Sequence, residues 1–549
     1  MSSQIDLPTP VLEPPQVGKG CEELCFRPFD QNGTFILAAQ GREVRRLAVR
    51  GAGATSLAQI FGTAIQIIST LVLARLLTPA DFGLVAMVTT FSLLAMNAGG
   101  NGFTEAVLQR QEMDHSLASN LFWINTGTGL VLTVVFAAAG SLMARFYGNP
   151  HVAQVAVGMS LTILITSASV LHLALLMRDM RFPHVYANQI LARITSISVS
   201  ILLAWAGWGY WALVVGAVAQ PLCECIGAWT LCRWIPGRPR RMAGTGSMVS
   251  FALSVYGRFS FNYFTRNVDN VLIGWRFNAQ ALGFYKKAYD LFAFSAIMQS
   301  FTPVAVSALS RLRNDMDRYK RHLLRTLSVW ALLGMGVGGV LTLVGKDLIR
   351  VLLGPQWAVA GEIFAFFGPG FGVMFIYGIH GWIHLSIGRP GRWFQWGVLE
   401  FSVTALLFLL GLSWGPVGIA AASSLAVCLL AIPALWYAGR PIELGVAPVI
   451  GAIWKNVAAA VFAAFGAATI MQALPFFAPA LDTIGAAFRL LKTSCLFGGL
   501  YIMATIILHR GCSPLSDFLG LVREVMPWGR TSKASTVTAE AANKEAVES

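Results

Sequence analysis

Long stretches without a single charged residue constrain this chain most. Gly53 to Ala74, Phe82 to Thr104, Ser116 to Ala144, Phe146 to Met177 and Thr326 to Gly345 are each free of Asp, Glu, Lys and Arg. A bilayer core about 30 Å thick is crossed by about 20 apolar residues in a helix. Only 12% of the chain is charged, against about 25% in an ordinary soluble protein. Several soluble domains of this length could not stay dispersed, so the chain reads as an integral membrane protein of the all-α class.

Two windows are too long for one helix. Phe401 to Gly439 breaks at Gly411-Leu-Ser-Trp-Gly-Pro416, and Ala187 to Cys232 breaks at Gly207-Trp-Gly-Tyr210, because Gly and Pro disfavour continuation. Adding the polar-spotted stretches near 247–275, 281–310, 356–386 and 391–410, then 453–473 and 484–508, gives about fourteen transmembrane helices. On this count alternate connections hold 23 basic residues and the intervening ones 7. By the positive-inside rule both termini are then cytoplasmic.

The formal charge of +14 does not point to nucleic acid, which requires basic residues gathered on one soluble face. The eight scattered cysteines form neither a disulfide framework nor a zinc ribbon. Residues 1–50, with five prolines in the first 40, read as a disordered cytoplasmic tail without a signal peptide, and 511–549 as a second tail.

The segment Leu73-Ala-Arg-Leu-Leu-Thr-Pro-Ala-Asp-Phe-Gly-Leu84 aligns without a gap on Ile273-Gly-Trp-Arg-Phe-Asn-Ala-Gln-Ala-Leu-Gly-Phe284, at an offset of 200. Both close an outward-running span and re-enter at a Gly, so the repeat is parallel, about an axis along the membrane normal. The expected architecture is an N-lobe of six spans (51–232), a basic linker (233–246) and a C-lobe of six spans (247–440). A central cavity lies between the lobes, and two extra spans (441–510) follow.

Span seven carries charges that lipid would penalise. With Arg258 as origin and about 100° per residue, Asn262, Arg266, Asp269 and Arg276 all fall within about a quarter of the helix circumference. An ionised side chain facing lipid at mid-membrane costs about 2.5–3.5 kcal/mol, so the stripe should line a wet cavity. Arg266 and Asp269 could instead neutralise each other at i to i+3, which leaves Arg258 without a local partner. Lys286 and Lys287 open span eight beside Asp290; Lys286 and Asp290 could simply pair, or the lysines could receive an anion. Glu224 on span six and Arg193 on span five lie at similar depth and read best as reciprocally buried, with proton binding at Glu224 as the minor alternative. Phe367-Gly-Pro-Gly-Phe-Gly372 is compatible with a hinge or with ordinary membrane-helix composition.

Gly345-Lys-Asp347 lacks the upstream Gly and the hydroxyl of a phosphate-cradling loop, so no ATPase is encoded. His380 and His384 have metal spacing but no third ligand, and no cofactor or metal is implied. Connections of about 15 residues at most leave little room for the soluble acceptor-holding loop of a glycan polymerase or ligase.

Leu73–Gly83, Leu176-Met-Arg-Asp-Met-Arg-Phe182, Asn267-Val-Asp-Asn-Val-Leu-Ile-Gly274, Leu282-Gly-Phe-Tyr-Lys-Lys-Ala-Tyr289, Ala308-Leu-Ser-Arg-Leu312 and Leu353-Gly-Pro-Gln-Trp357 together resemble the recurrent segments of bacterial polysaccharide-repeat-unit flippases. These are the Wzx type, within the multidrug/oligosaccharidyl-lipid/polysaccharide exporter superfamily, and the resemblance runs from about residue 45 to 440. It implies transport, not catalysis, at the bacterial inner membrane, with undecaprenyl-diphosphate-linked oligosaccharide as cargo and the polysaccharide polymerase and export machinery as partners. On that reading Arg258, Arg266 and Arg276 form a ladder for the diphosphate, with Lys286 and Lys287 receiving it later. Asn262 contacts diphosphate or sugar, and Asp269 orients Arg266 or, like Glu224, binds a coupling ion. A cation-coupled exporter of small solutes and a flippase for the peptidoglycan precursor are the competing transport readings; a membrane-embedded polymerase or ligase is the competing enzyme.

Overall fold

A computed structural model describes residues 26–35, 42–110, 113–239, 245–292, 301–478 and 482–512, with 514, 516 and 518. The described chain is almost wholly helical, with three isolated β-bridges and no strand among these residues. It divides into two compact units, Met1–Trp275 and Arg276–Ser549.

The first unit contains α1 (Arg42–Leu76), α2 (Pro79–Gln109), α3 (His115–Tyr147), α4 (His151–Arg178), α5 (Phe182–Trp205), α6 (Tyr210–Leu231), α7 (Thr245–Thr265) and α8 (Val268–Arg276, its last residue across the boundary). Sequential hairpins dominate the packing: α3 lies on α4, α5 on α6, and α4 also on α2 and α6. Helix α7, which the sequence assigns to the second lobe, packs on α2, where the Tyr256 hydroxyl donates to the Leu94 carbonyl at 3.2 Å.

The second unit contains α9 (Ala279–Phe292), α10 (Thr302–Arg311), α11 (Met316–Leu353), α12 (Ala358–Tyr377), α13 (Ile379–Ser386), α14 (Pro390–Gly411), α15 (Gly415–Gly439), α16 (Val446–Ala473) and α17 (Thr483–His509). Its centre is the α11–α12 pair. A Cβ added at Gly338 would lie 2.7 Å from the Gly372 backbone, and one added at Gly372 would lie 2.8 Å from the Gly334 carbonyl. The glycines of 367–372 therefore let two helix backbones touch. Helix α12 continues through Pro369 and ends later, at Gly378, so the backbone of this segment is helical and not broken.

Among the described residues eleven segments are long and apolar enough to cross a membrane, and the longest, Pro390–Ile442, holds the two helices α14 and α15. Large apolar side chains such as Val134, Leu142, Phe462 and Phe465 point outward and are more than half exposed. That surface is tolerable only in lipid.

The expectation of a structureless tail up to residue 50 needs correction. Helix α1 already begins at Arg42. Upstream, Phe26–Phe35 is docked: Phe26 pairs with Cys232 and Thr34 with Asp114 in isolated bridges, and Phe26 is 5% exposed. The turn at its centre is built by Asp30, whose carboxylate accepts the N–H of Asn32 and of Thr34 while Gly33 takes a positive φ of 80°. Asn-Gly supplies such turns cheaply.

Candidate functional site

Span seven is not one helix. The backbone N–H of Arg266 donates to the Tyr263 carbonyl at 3.2 Å and that of Asn267 to the Phe264 carbonyl at 3.2 Å. These three-residue turns end α7 at Thr265 and restart the chain as α8 at Val268. Polar side chains cause the break by competing for the backbone. The Asn267 amide donates to the Tyr263 carbonyl (2.9 Å), Asn270 donates to the Asn267 side chain (3.2 Å), and the Asp269 carboxylate accepts the Asn270 N–H (2.8 Å). A single angular stripe from residue 258 to 276 therefore does not hold beyond Thr265, where the uniform helical phase is lost.

The five residues of the expected stripe have different surroundings. Arg258 and Asn262 lie on α7, with side chains outside the described residues. Arg266 is exposed in the turn and forms no ion pair among the described residues, so the internal Arg266–Asp269 pairing is not formed. Asp269 is 2% exposed, held in the first turn of α8. Arg276 is exposed at the end of α8, its guanidinium 5.9 Å from the centre of the Phe277 ring.

On α9 the structure brings three groups together. Asp290 receives Lys286 at 2.7 Å and Lys287 at 3.7 Å, and Lys287 is 8% exposed. One carboxylate between two ammonium groups leaves the trio with a net single positive charge. On α6, Glu224 is half-buried, as is Arg193 on α5. Gly62 of α1 makes room for that arginine: a Cβ there would sit 2.6 Å from Arg193 Nη1.

An ion pair between distant segments escaped sequence reasoning. Asp347, 6% exposed on α11, receives Arg489 of α17 at 3.3 Å. His380 and His384 are buried beside Tyr377, Trp396 and Tyr437, and Arg392 lies 4.2 Å above the Tyr437 ring. The Asn267-x-Asp-Asn270 cluster inside an apolar run was the available signal for the break in span seven.

The family model described as "Polysaccharide biosynthesis protein" matches residues 72–362, just over half of the chain. The chain belongs to this polysaccharide biosynthesis protein family. Among curated relatives it is 22% identical over 331 residues to the succinoglycan biosynthesis transport protein ExoT of Rhizobium meliloti, covering 60% of this chain and 67% of ExoT. It is 20% identical to the lipopolysaccharide biosynthesis protein WzxC of Escherichia coli (57% and 65% covered) and 24% identical to the teichuronic acid biosynthesis protein TuaB of Bacillus subtilis (67% and 76% covered). The matches thus span about two thirds of the length of the first of these relatives. As a fold, this member of the polysaccharide biosynthesis protein family is similar to the lipid II flippase MurJ in an inward closed conformation, with a TM-score of 0.63 at 12% identity over 84% of this chain and 99% of MurJ. It is also similar to an inward-facing multidrug resistance MATE transporter of the MOP superfamily, with a TM-score of 0.56 at 12% identity over 69% and 94%.

Proposed function

We propose that this protein is a flippase that carries undecaprenyl-diphosphate-linked oligosaccharide repeat units across the bacterial inner membrane, for exopolysaccharide, capsule or O-antigen assembly. It is a transporter, not a catalyst. The observation that carries the reading is the family match, reinforced by relatives named for the biosynthesis of three different polysaccharides. Such glycans differ in sugar, so the common element to recognise is the lipid diphosphate.

The chemistry of span seven suits that element. A diphosphate concentrates negative charge, and a guanidinium offers it paired donors without losing its proton. Arg266, exposed where the helix breaks and without an ion pair among the described residues, is the residue on which this role rests most directly. Arg258 and Arg276 extend the ladder, and Asn262 contacts diphosphate or sugar. The net positive Lys286–Lys287–Asp290 trio receives the headgroup late in its passage. Asp269 and Glu224 are candidate coupling-ion sites. Transport proceeds by alternating access of two six-span lobes, with the lipid tail left in the bilayer and both termini in the cytoplasm. The repeat-unit polymerase and export machinery act next on the product.

Reconstitution tests the proposal. Proteoliposomes loaded on one leaflet with a lipid-linked oligosaccharide should make it accessible to an impermeant glycosidase on the other, and Arg266→Glu should suppress this. Equal rates in wild type, variant and empty liposomes would reject it.

A further inference from the structure

The docked segment Phe26–Phe35 does more than cover a surface. Its aromatic rings join one apolar cluster with Met113 and Leu117 of the α3 entrance, Trp234 of the α6–α7 connection, and Met248 and Ala252 in the first turns of α7. Backbone hydrogen bonds fasten both of its ends. Phe26 donates to the Leu231 carbonyl and accepts from Arg233, each at 2.9 Å; Phe35 donates to Met113 at 3.2 Å, and His115 donates to Gly33 at 2.8 Å. Arg181 lies 4.8 Å from the Phe26 ring centre and Arg178 lies 5.2 Å from that of Phe35. One ten-residue segment therefore touches the α2–α3, α4–α5 and α6–α7 connections.

The connection into α7 is pinned from the other side too. The His172 ring meets the Trp234 carbonyl at 3.1 Å, Trp123 donates to the Gly237 carbonyl at 2.8 Å, and the Gly237 N–H donates to Ser119 Oγ at 2.9 Å. Residues 231–237, which take in the start of the segment read from sequence as a basic linker (233–246), are thus a seated strip with the Phe26–Phe35 hairpin along one edge.

We infer that Phe26–Phe35 is a strap that stays docked and seats the α6–α7 connection, fixing the point from which α7 enters the membrane. α7 carries Arg258 and Asn262 and leads into the break at Arg266, so the strap positions the proposed substrate helix without touching substrate. That consequence rests on the flippase reading; the strap itself does not.

Two experiments test it on the full-length protein in nanodiscs. In the first, residues 26–35 are replaced by a Gly/Ser stretch of equal length and backbone amide exchange is followed. Loss of the strap should raise exchange by about tenfold or more at Gly237 and through 245–265, where no hydrogen bond to the strap is formed among the described residues, as a released cooperative unit does. Exchange that rises only at Arg233 and His115, the strap's own donors, would overturn the inference whatever the cargo. In the second, Phe26→Cys is crosslinked to Cys232, its partner in the bridge, with the other cysteines replaced; paired backbones lie about 5 Å apart. Export should survive the crosslink. Export that is lost on crosslinking and restored by reductant would mean the strap must leave, which contradicts a fixed seat.

Discussion

Thr78 and Asn278, 200 residues apart, do the same job. Thr78 Oγ1 accepts the Asp81 N–H at 3.3 Å at the start of α2, and Asn278 Oδ1 accepts the Ala281 N–H at 2.8 Å at the start of α9. Around them Leu73 and Ile273, and Ala74 and Gly274, are buried pairwise. The offset that aligns the two segments thus also aligns their caps and their buried faces, which supports a duplicated structural unit over a chance likeness of apolar hairpins.

Removing a capping side chain costs about 1 kcal/mol. Thr78→Ala and Asn278→Ala should each lower the melting temperature of the detergent-solubilised protein by a small, similar amount. Thr78→Ala should cost the more, because it also removes the hydrogen bond that the Thr78 hydroxyl donates to the Asp81 carboxylate at 2.6 Å. Differential scanning fluorimetry on the single variants is sufficient.

Asp290 pairs with two lysines, so its loss should be felt more than the loss of either. Asp290→Asn removes the carboxylate that Lys287, 8% exposed, meets at 3.7 Å, and weakening a charge-assisted contact at a buried group costs about 1–3 kcal/mol. Lys286→Gln should cost less, because the Lys286 side chain is 31% exposed and water can replace the pair. Thermal unfolding of both variants checks the order.

Asp347 and Arg489 join α11 to α17. Asp347→Ala should destabilise by about 1–3 kcal/mol, whereas the exchanged pair Asp347→Arg with Arg489→Asp should recover part of the loss. A double-mutant cycle with no coupling between the positions would mean that the 3.3 Å contact contributes nothing.

The α11–α12 interface leaves no volume at Gly338. Gly338→Val would push a side chain into the Gly372 and Gly368 backbones, with the nearest atoms under 3 Å from the first added carbon. Overpacking costs about 1–3 kcal/mol, and more here because backbone cannot rotate away. Gly397, with nothing within 4 Å of an added Cβ, is the control: Gly397→Ala should be neutral or slightly stabilising, as Ala favours helix over Gly by about 1 kcal/mol. Monodispersity and yield after size-exclusion chromatography report both.

Much of the fold was legible because lipid removes ambiguity. Charge-free windows of fixed length locate helices directly, and the Gly-Pro breaks at 411–416 and Gly-Trp-Gly at 207–209 fell where α14 ends and α6 begins. The break at Arg266–Asn267 was harder to see, because side-chain competition for backbone donors is local and has no periodicity. The docked Phe26–Phe35 hairpin was hidden by its composition. Its Asn32-Gly33 turn signal is sound, but its burial depends on Trp234 and Met113, far along the chain. The Asp347–Arg489 pair is invisible for the same reason, since nothing in either segment names its partner. The family assignment was legible from several weak segments read as a set, whereas the roles of single arginines depend on surroundings that the sequence does not encode.

The central claim is that a lipid-linked glycan is the cargo, and the most direct test follows that molecule. The gene is deleted, the strain is complemented with either wild type or Arg266→Glu, and mass spectrometry quantifies undecaprenyl-diphosphate-linked glycan on each leaflet of the inner membrane. The account predicts that repeat units accumulate on the inner leaflet in the deletion and in the Arg266→Glu strain, with surface polysaccharide reduced about tenfold or more, as loss of a charge-assisted contact implies. Accumulation on the outer leaflet, as a failed polymerase or ligase would cause, or no accumulation in the deletion strain, would contradict it.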